Sequence, residues 1–128
     1  MKNIATILFS TILFTLIFVG CGGSPSEPED VAKEFLSRVE KGDNSALDLM
    51  APELIEMLGK EKMEKGIQES SEKMKKNGGV KSIEISDKEV KDNEATMNVT
   101  TNYGNGTSET EKMKLINKDG KWLITIAK

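Results

Sequence analysis

Acid–base and nucleophilic chemistry near neutral pH draws mainly on histidine, a thiolate or a carboxylate with a raised pKa. This chain of 128 residues has no histidine and a single cysteine, Cys21, so the commonest proton carrier and the commonest metal ligand are both missing. No Gly-x-Ser-x-Gly spacing occurs to activate a serine, and no cofactor or metal is expected. Three side chains are singled out as a possible pocket set. Tyr103, the only tyrosine, either aims its hydroxyl into a cavity or closes the end of a hairpin. Trp122, the only tryptophan, is either a ligand platform or a packing residue at the core or its rim. Arg38, the sole arginine, either clamps an anion or stands solvated on a helix. Among the carboxylates, Asp43, Asp92 and Asp119 fall where caps and turns call for aspartate.

Cys21 is placed for covalent chemistry of another kind. Lys2 gives a positive start, Ile4 to Val19 an apolar run, and Gly20 a small residue immediately before the cysteine, which is the pattern of a secretory signal with its cleavage site. The run is short for a membrane-spanning helix and is interrupted by Thr6, Ser10, Thr11 and Thr15. The segment resembles a bacterial lipoprotein signal, with Phe18 where leucine is usual. That resemblance implies cleavage between Gly20 and Cys21 and acylation of the Cys21 thiol. It places the protein in the cell envelope, lipid-anchored to the outer face of the plasma membrane or to an outer membrane. Gly22 carries no cue for inner-membrane retention.

The organisation expected is a signal peptide over 1–20, a lipid-anchored flexible tether over 21–28 and one domain over 29–128. The net charge is −3, and losing Lys2 with the signal makes it more acidic. No basic field exists to hold nucleic acid or an anionic leaflet, so the bilayer must be held through the acyl chains. The tether is rich in Gly, Ser and Pro and keeps the domain near the membrane surface.

The domain divides into a helical half and a strand half. Ser26 and Glu29 fit a capping box ahead of Val31, Phe35, Leu36 and Val39 at helical spacing, with Gly42 ending that helix. Asp43 is suited to cap a short second helix, and Pro52 to open a further turn or two. A helix over about 60–77 has a thin apolar stripe of Met63, Ile67 and Met74. Its other faces carry Glu61 with Lys65, Glu69 with Lys73, and Glu72 with Lys76, four residues apart. After Gly78-Gly79 the period changes to two. Strands begin at Val80, Ala95, Thr107 and Trp122, the last running through Ile124 and Ile126, separated by Asp92-Asn93, Gly104-Asn105-Gly106 and Asp119-Gly120. Such short turns make an antiparallel meander. The fold class is therefore α+β, three N-terminal helices on one face of a four-stranded antiparallel sheet. Met50, Met57, Met63, Met74, Met97 and Met113 suit an adaptable core or groove.

Pro28-Glu29-Asp30-Val31 leading to Phe35-Leu36, Lys41-Gly42-Asp43, Gly78-Gly79-Val80-Lys81-Ser82-Ile83, Ser108-Glu109-Thr110-Glu111 and Asp119-Gly120-Lys121-Trp122 together resemble small bacterial lipoproteins of unknown function. That family is similar to the cystatin-like, nuclear-transport-factor-like superfamily. The resemblance implies helices on the concave side of a curved sheet, and a cone that often holds a pocket. It implies no activity. The expected function is a non-catalytic binding or interaction module at the envelope, taking a small ligand or an envelope protein, with a homodimer through the sheet face as a further possibility. The alternative is a cavity enzyme of hydratase or isomerase type using Tyr103 and a carboxylate. A protease-inhibitor role would rest on fold analogy alone.

Overall fold

The computed structural model describes residues 27–126; Gly20, Cys21, Ser26, the signal reading and the tether reading up to residue 26 lie outside them, whereas Glu27 and Pro28, expected in the tether, begin the first helix. Helix α1 spans Pro28–Glu40. Proline at its first position costs no hydrogen bond, and Glu29 and Asp30 complement the positive end of the helix. Its N-cap is Glu27, whose side chain makes no capping bond. Val31, Ala32, Leu36 and Val39 form the buried stripe. Gly42, at φ 70°, turns the chain into a 3-10 segment, Asn44–Leu49, capped by the Asp43 carboxylate accepting from the Ser45 amide at 2.9 Å. Helix α2, Pro52–Leu58, is separated from α3, Lys60–Lys76, by Gly59 at φ 91°.

Four antiparallel strands follow in sequence order: β1 Val80–Lys91, β2 Glu94–Tyr103, β3 Ser108–Lys118 and β4 Lys121–Thr125. Asp92 and Asp119 take positive φ at the turns, a conformation that aspartate tolerates. The last strand stops one residue short of the expected run, leaving Ile126 45% exposed. Alternation sorts the faces. Ala95, Met97, Val99 and Tyr103 join Met113, Leu115 and Ile124 against the helices. The outer face is polar: Thr100 and Thr110 hydroxyls lie 2.9 Å apart, and the Asn102 and Asn98 amides donate to Ser82 and Asp87.

A second, smaller cluster was not apparent in the sequence. The Ala51 amide donates to the Ile124 carbonyl at 2.8 Å, and Met50 forms a parallel bridge with Ile124. This contact carries the chain along the outer edge of β4 and packs Ala51 and Leu54 on Leu123, beside Ile116. The edge of β4 is thereby covered, as exposed strand edges usually are.

Candidate binding site

Helix α3 packs on α1, the 3-10 segment and α2 rather than broadly on the strands. Between it and the concave side of β2 and β3 lies a cleft of about 310 Å³. Its apolar walls include Phe35 and Leu36 of α1 and Met63, Ile67 and Met74 of α3. Its polar groups are Ser70, Lys73, Tyr103, Glu109 and Glu111.

Three of these groups form a chain. The Tyr103 hydroxyl donates to one Glu109 oxygen at 3.2 Å, and the Lys73 ammonium lies 2.6 Å from the other. Tyr103 is 3% exposed, while the Lys73 and Glu109 side chains are largely open to water. Burial and the nearby Glu109 charge push the Tyr103 phenol up to about 12. The Lys73 hydrogen bond holds the Glu109 carboxyl below the ordinary carboxylate value, and Lys73 is raised by the same contact. At neutral pH the three groups are thus a neutral phenol, a carboxylate and an ammonium. Among the described residues, no buried side-chain polar atom lacks a partner, and no metal-ligating cluster of three or more side chains occurs.

One end of the cleft is fastened by the backbone. The Gly104 amide donates to Gly79 and the Asn105 amide to Asn77, both at 2.9 Å. A Cβ on Gly104 would stand 2.5 Å from the Gly78 carbonyl oxygen, so only glycine lets the β2–β3 turn approach the end of α3 this closely. The Glu40 carboxylate takes the Val80 amide at 2.6 Å, and its carbonyl takes the buried Ser71 hydroxyl at 2.7 Å. These contacts set Lys73 opposite Glu109. A second cleft of about 360 Å³ shares Phe35, Met50 and Glu111 with the first and continues past Met113 and Ile124 to Ile126.

The three residues singled out in the sequence are not brought together. Tyr103 lies in the cleft. Trp122 pairs with Asn117 at the opposite end of the sheet and packs half-buried against the core there. Arg38 spans to Glu34 and to the Ser45 carbonyl, both at 3.0 Å, tying α1 to the 3-10 segment. The expected pair of Glu69 with Lys73 does not form, because Lys73 crosses the cleft to Glu109 instead. Glu109, Glu111, Lys73 and Ser70 were not singled out. Their signal was present for the two glutamates, since a period of two puts Glu109 and Glu111 on the core face with Met113 and Leu115.

The fold is that of an NTF2-like α+β protein. The chain is similar to a solved Campylobacter jejuni structure, provisionally described as an NTF2-like transpeptidase, with 28% identity and a TM-score of 0.70 over 80% of this chain and all of that one. It is also similar in fold to the solution structure of RPA3114, a SEC-C motif containing protein from Rhodopseudomonas palustris, with 12% identity and a TM-score of 0.58 over 84% and 82% of the two chains. Residues 19–125 match a domain of unknown function, DUF4878, and the chain belongs to that family. No curated protein matches it.

Proposed function

We propose that this protein is an exported lipoprotein, anchored through acylated Cys21, that acts as a non-catalytic binding or interaction module at the cell envelope. The observation that carries the binding reading is the Tyr103–Glu109–Lys73 chain set against the apolar walls of the cleft. It offers a ligand an apolar wall and fixed hydrogen-bonding groups, the usual composition of a binding pocket. A hydratase or isomerase needs a group that exchanges a proton near pH 7. Here the Glu109 carboxyl is moved down and the Tyr103 phenol up, both away from that range. Among the described residues no helix is long and apolar enough to cross a membrane, and the anchor assigned is the Cys21 lipid.

The transpeptidase description of the Campylobacter neighbour directs notice to Ser70 and Lys73, which have serine–x–x–lysine spacing and both line the cleft. In such enzymes the serine is the nucleophile and the lysine a contested candidate for its base. Lys73 is held as an ammonium by Glu109, which leaves it unsuited to accept the serine proton. Among the described residues, Thr100, Thr110, Asn98 and Asn102 line the outer face of the sheet, which gives a homodimer there little apolar surface to bury.

Native mass spectrometry of the full chain, gently extracted from its host membranes, tests the proposal. The expected spectrum has an acyl mass on Cys21 and a retained small molecule or protein partner. A processed chain with an unmodified thiol overturns the anchor, and turnover of a bound substrate overturns the non-catalytic reading.

A further inference from the structure

Strand β4 covers only part of β3. The Tyr103 amide donates to Thr107 and the Asn117 amide to Asn93, so odd-numbered residues of β3 direct their main-chain groups toward β2. Even-numbered residues direct theirs the other way. Lys114, Ile116 and Lys118 meet Thr125, Leu123 and Lys121 of β4 there. Ser108, Thr110 and Lys112 have no strand partner on that side among the described residues. The two clefts run beside this open stretch, sharing Glu111 on their rim, and the second is bounded by Met113 and the end of β4.

We propose that the β3 edge from Ser108 to Lys112 takes up an extended peptide as an antiparallel fifth strand, with an apolar side chain opposite Met113 and a lysine or arginine opposite Glu111. The inference rests on the reading of the chain as an interaction module. An open edge supplies hydrogen bonds to a backbone of any sequence, while flanking pockets select side chains. Glu109 is already paired with Lys73, whereas Glu111 has no ion-pair partner among the described residues, so a basic residue is favoured opposite it. A second copy of this chain fits poorly. Pairing β3 with itself about Glu109, Thr110, Glu111 or Lys112 sets Glu109 against Glu109, Glu109 against Glu111, Glu111 against Glu111, or Lys112 against Lys112. Like charges directly opposite are destabilising, and a heterologous basic strand avoids them.

The test uses the full chain in detergent and a blocked peptide, Thr-Thr-Val-Thr-Lys-Thr-Thr, whose valine and lysine are two residues apart. Hydrogen exchange should slow over 108–113 and stay unchanged over β1. Lys112→Pro removes an outward amide without touching the bonds to β2, a substitution that edge strands tolerate. Lys112→Ala keeps that amide. Binding read by fluorescence anisotropy should weaken about tenfold or more in the proline variant relative to the alanine variant, with matching thermal melts showing that both are folded. Glu111→Lys should turn the preference toward the peptide with glutamate in place of lysine. Equal binding by the proline and alanine variants, or protection that avoids β3, overturns the inference. A ligand or partner retained in the native spectra, with β3 exchange unmoved by the peptide, overturns the edge inference alone. Protection of β3 with nothing retained in the spectra supports the edge inference and counts against the small-ligand reading.

Discussion

The two ends of the concave sheet face are built differently although β1, β2 and β3 pass through both. At the β3–β4 hairpin end, Ala95 and Leu115 lie in the main core at 1% and 0% exposure, and Met50–Ala51 covers the outer edge of β4. At the other end β4 is absent, α3 stands away from β3, and a phenol, a carboxylate and an ammonium span the gap. The closed end has the composition of a core, and the open end mixes apolar walls with charged and hydroxyl groups. The difference comes from the lengths of the strands. A four-stranded sheet whose last strand has 5 residues beside one of 11 must leave part of its neighbour uncovered.

The comparison would break if substitutions at the two ends cost the same. Leu115→Ala, at the closed end, should lose about 2–5 kcal/mol in denaturant unfolding. A loss under about 1 kcal/mol would mean that this end also yields to change. Phe35 lines both clefts and is only partly buried. Its replacement by alanine should therefore cost roughly half of the 3–5 kcal/mol typical of a buried phenylalanine; the full amount would place it in the core.

At the open end effects become smaller and depend on pH. Tyr103→Phe should cost about 1 kcal/mol, the net worth of one hydrogen bond. In the native protein the tyrosine absorbance should titrate at about 12. A phenol whose folded pKa is raised gives stability that is fully present below its unfolded value near 10 and is lost as pH rises through about 12. The alkaline limb of the stability curve should be shallower in Tyr103→Phe. If the phenol titrates at 10, it is not held in the cleft as described.

Lys73→Met should have the smallest effect on stability, because its ion pair is exposed. Its signature is the acid limb. Glu109, moved down by Lys73, contributes stability that is present above its ordinary value of 4.5 and is lost as pH falls through its folded pKa. In the variant the Glu109 midpoint should rise, measurable by carboxyl-resolved NMR titration. An unchanged midpoint would remove Lys73 from the site.

Local chemistry made much of the fold legible in sequence. Gly42, Pro52 and Gly78-Gly79 mark breaks, and Asp92-Asn93 and Asp119-Gly120 mark turns, because each residue type has a backbone preference that acts within a few residues. The core stripe of α1 and the alternation of β2 follow from periods of 3.6 and 2. Tyr103 was legible as a cavity candidate, but Lys73 was not. Glu69 stands at the favourable helical distance from Lys73, and nothing local shows that Glu109, across the cleft, takes it. Trp122 and Arg38 drew notice as the sole residues of their types, which carries no spatial information; each is engaged elsewhere.

Sequence alone therefore determined the order of elements, the antiparallel meander, the residues of the core faces and the expectation of an anchor at Cys21, since all of these depend on neighbours in the chain. Tertiary structure decided how far apart α3 and β3 stand, which carboxylate Lys73 meets, and that the edge of β3 stays open where β4 ends. Those depend on how the end of α3 is fastened to the β2–β3 turn and on the pairing of strands far apart in the chain. Side-chain pattern constrains each element, but only packing between elements sets the space left among them.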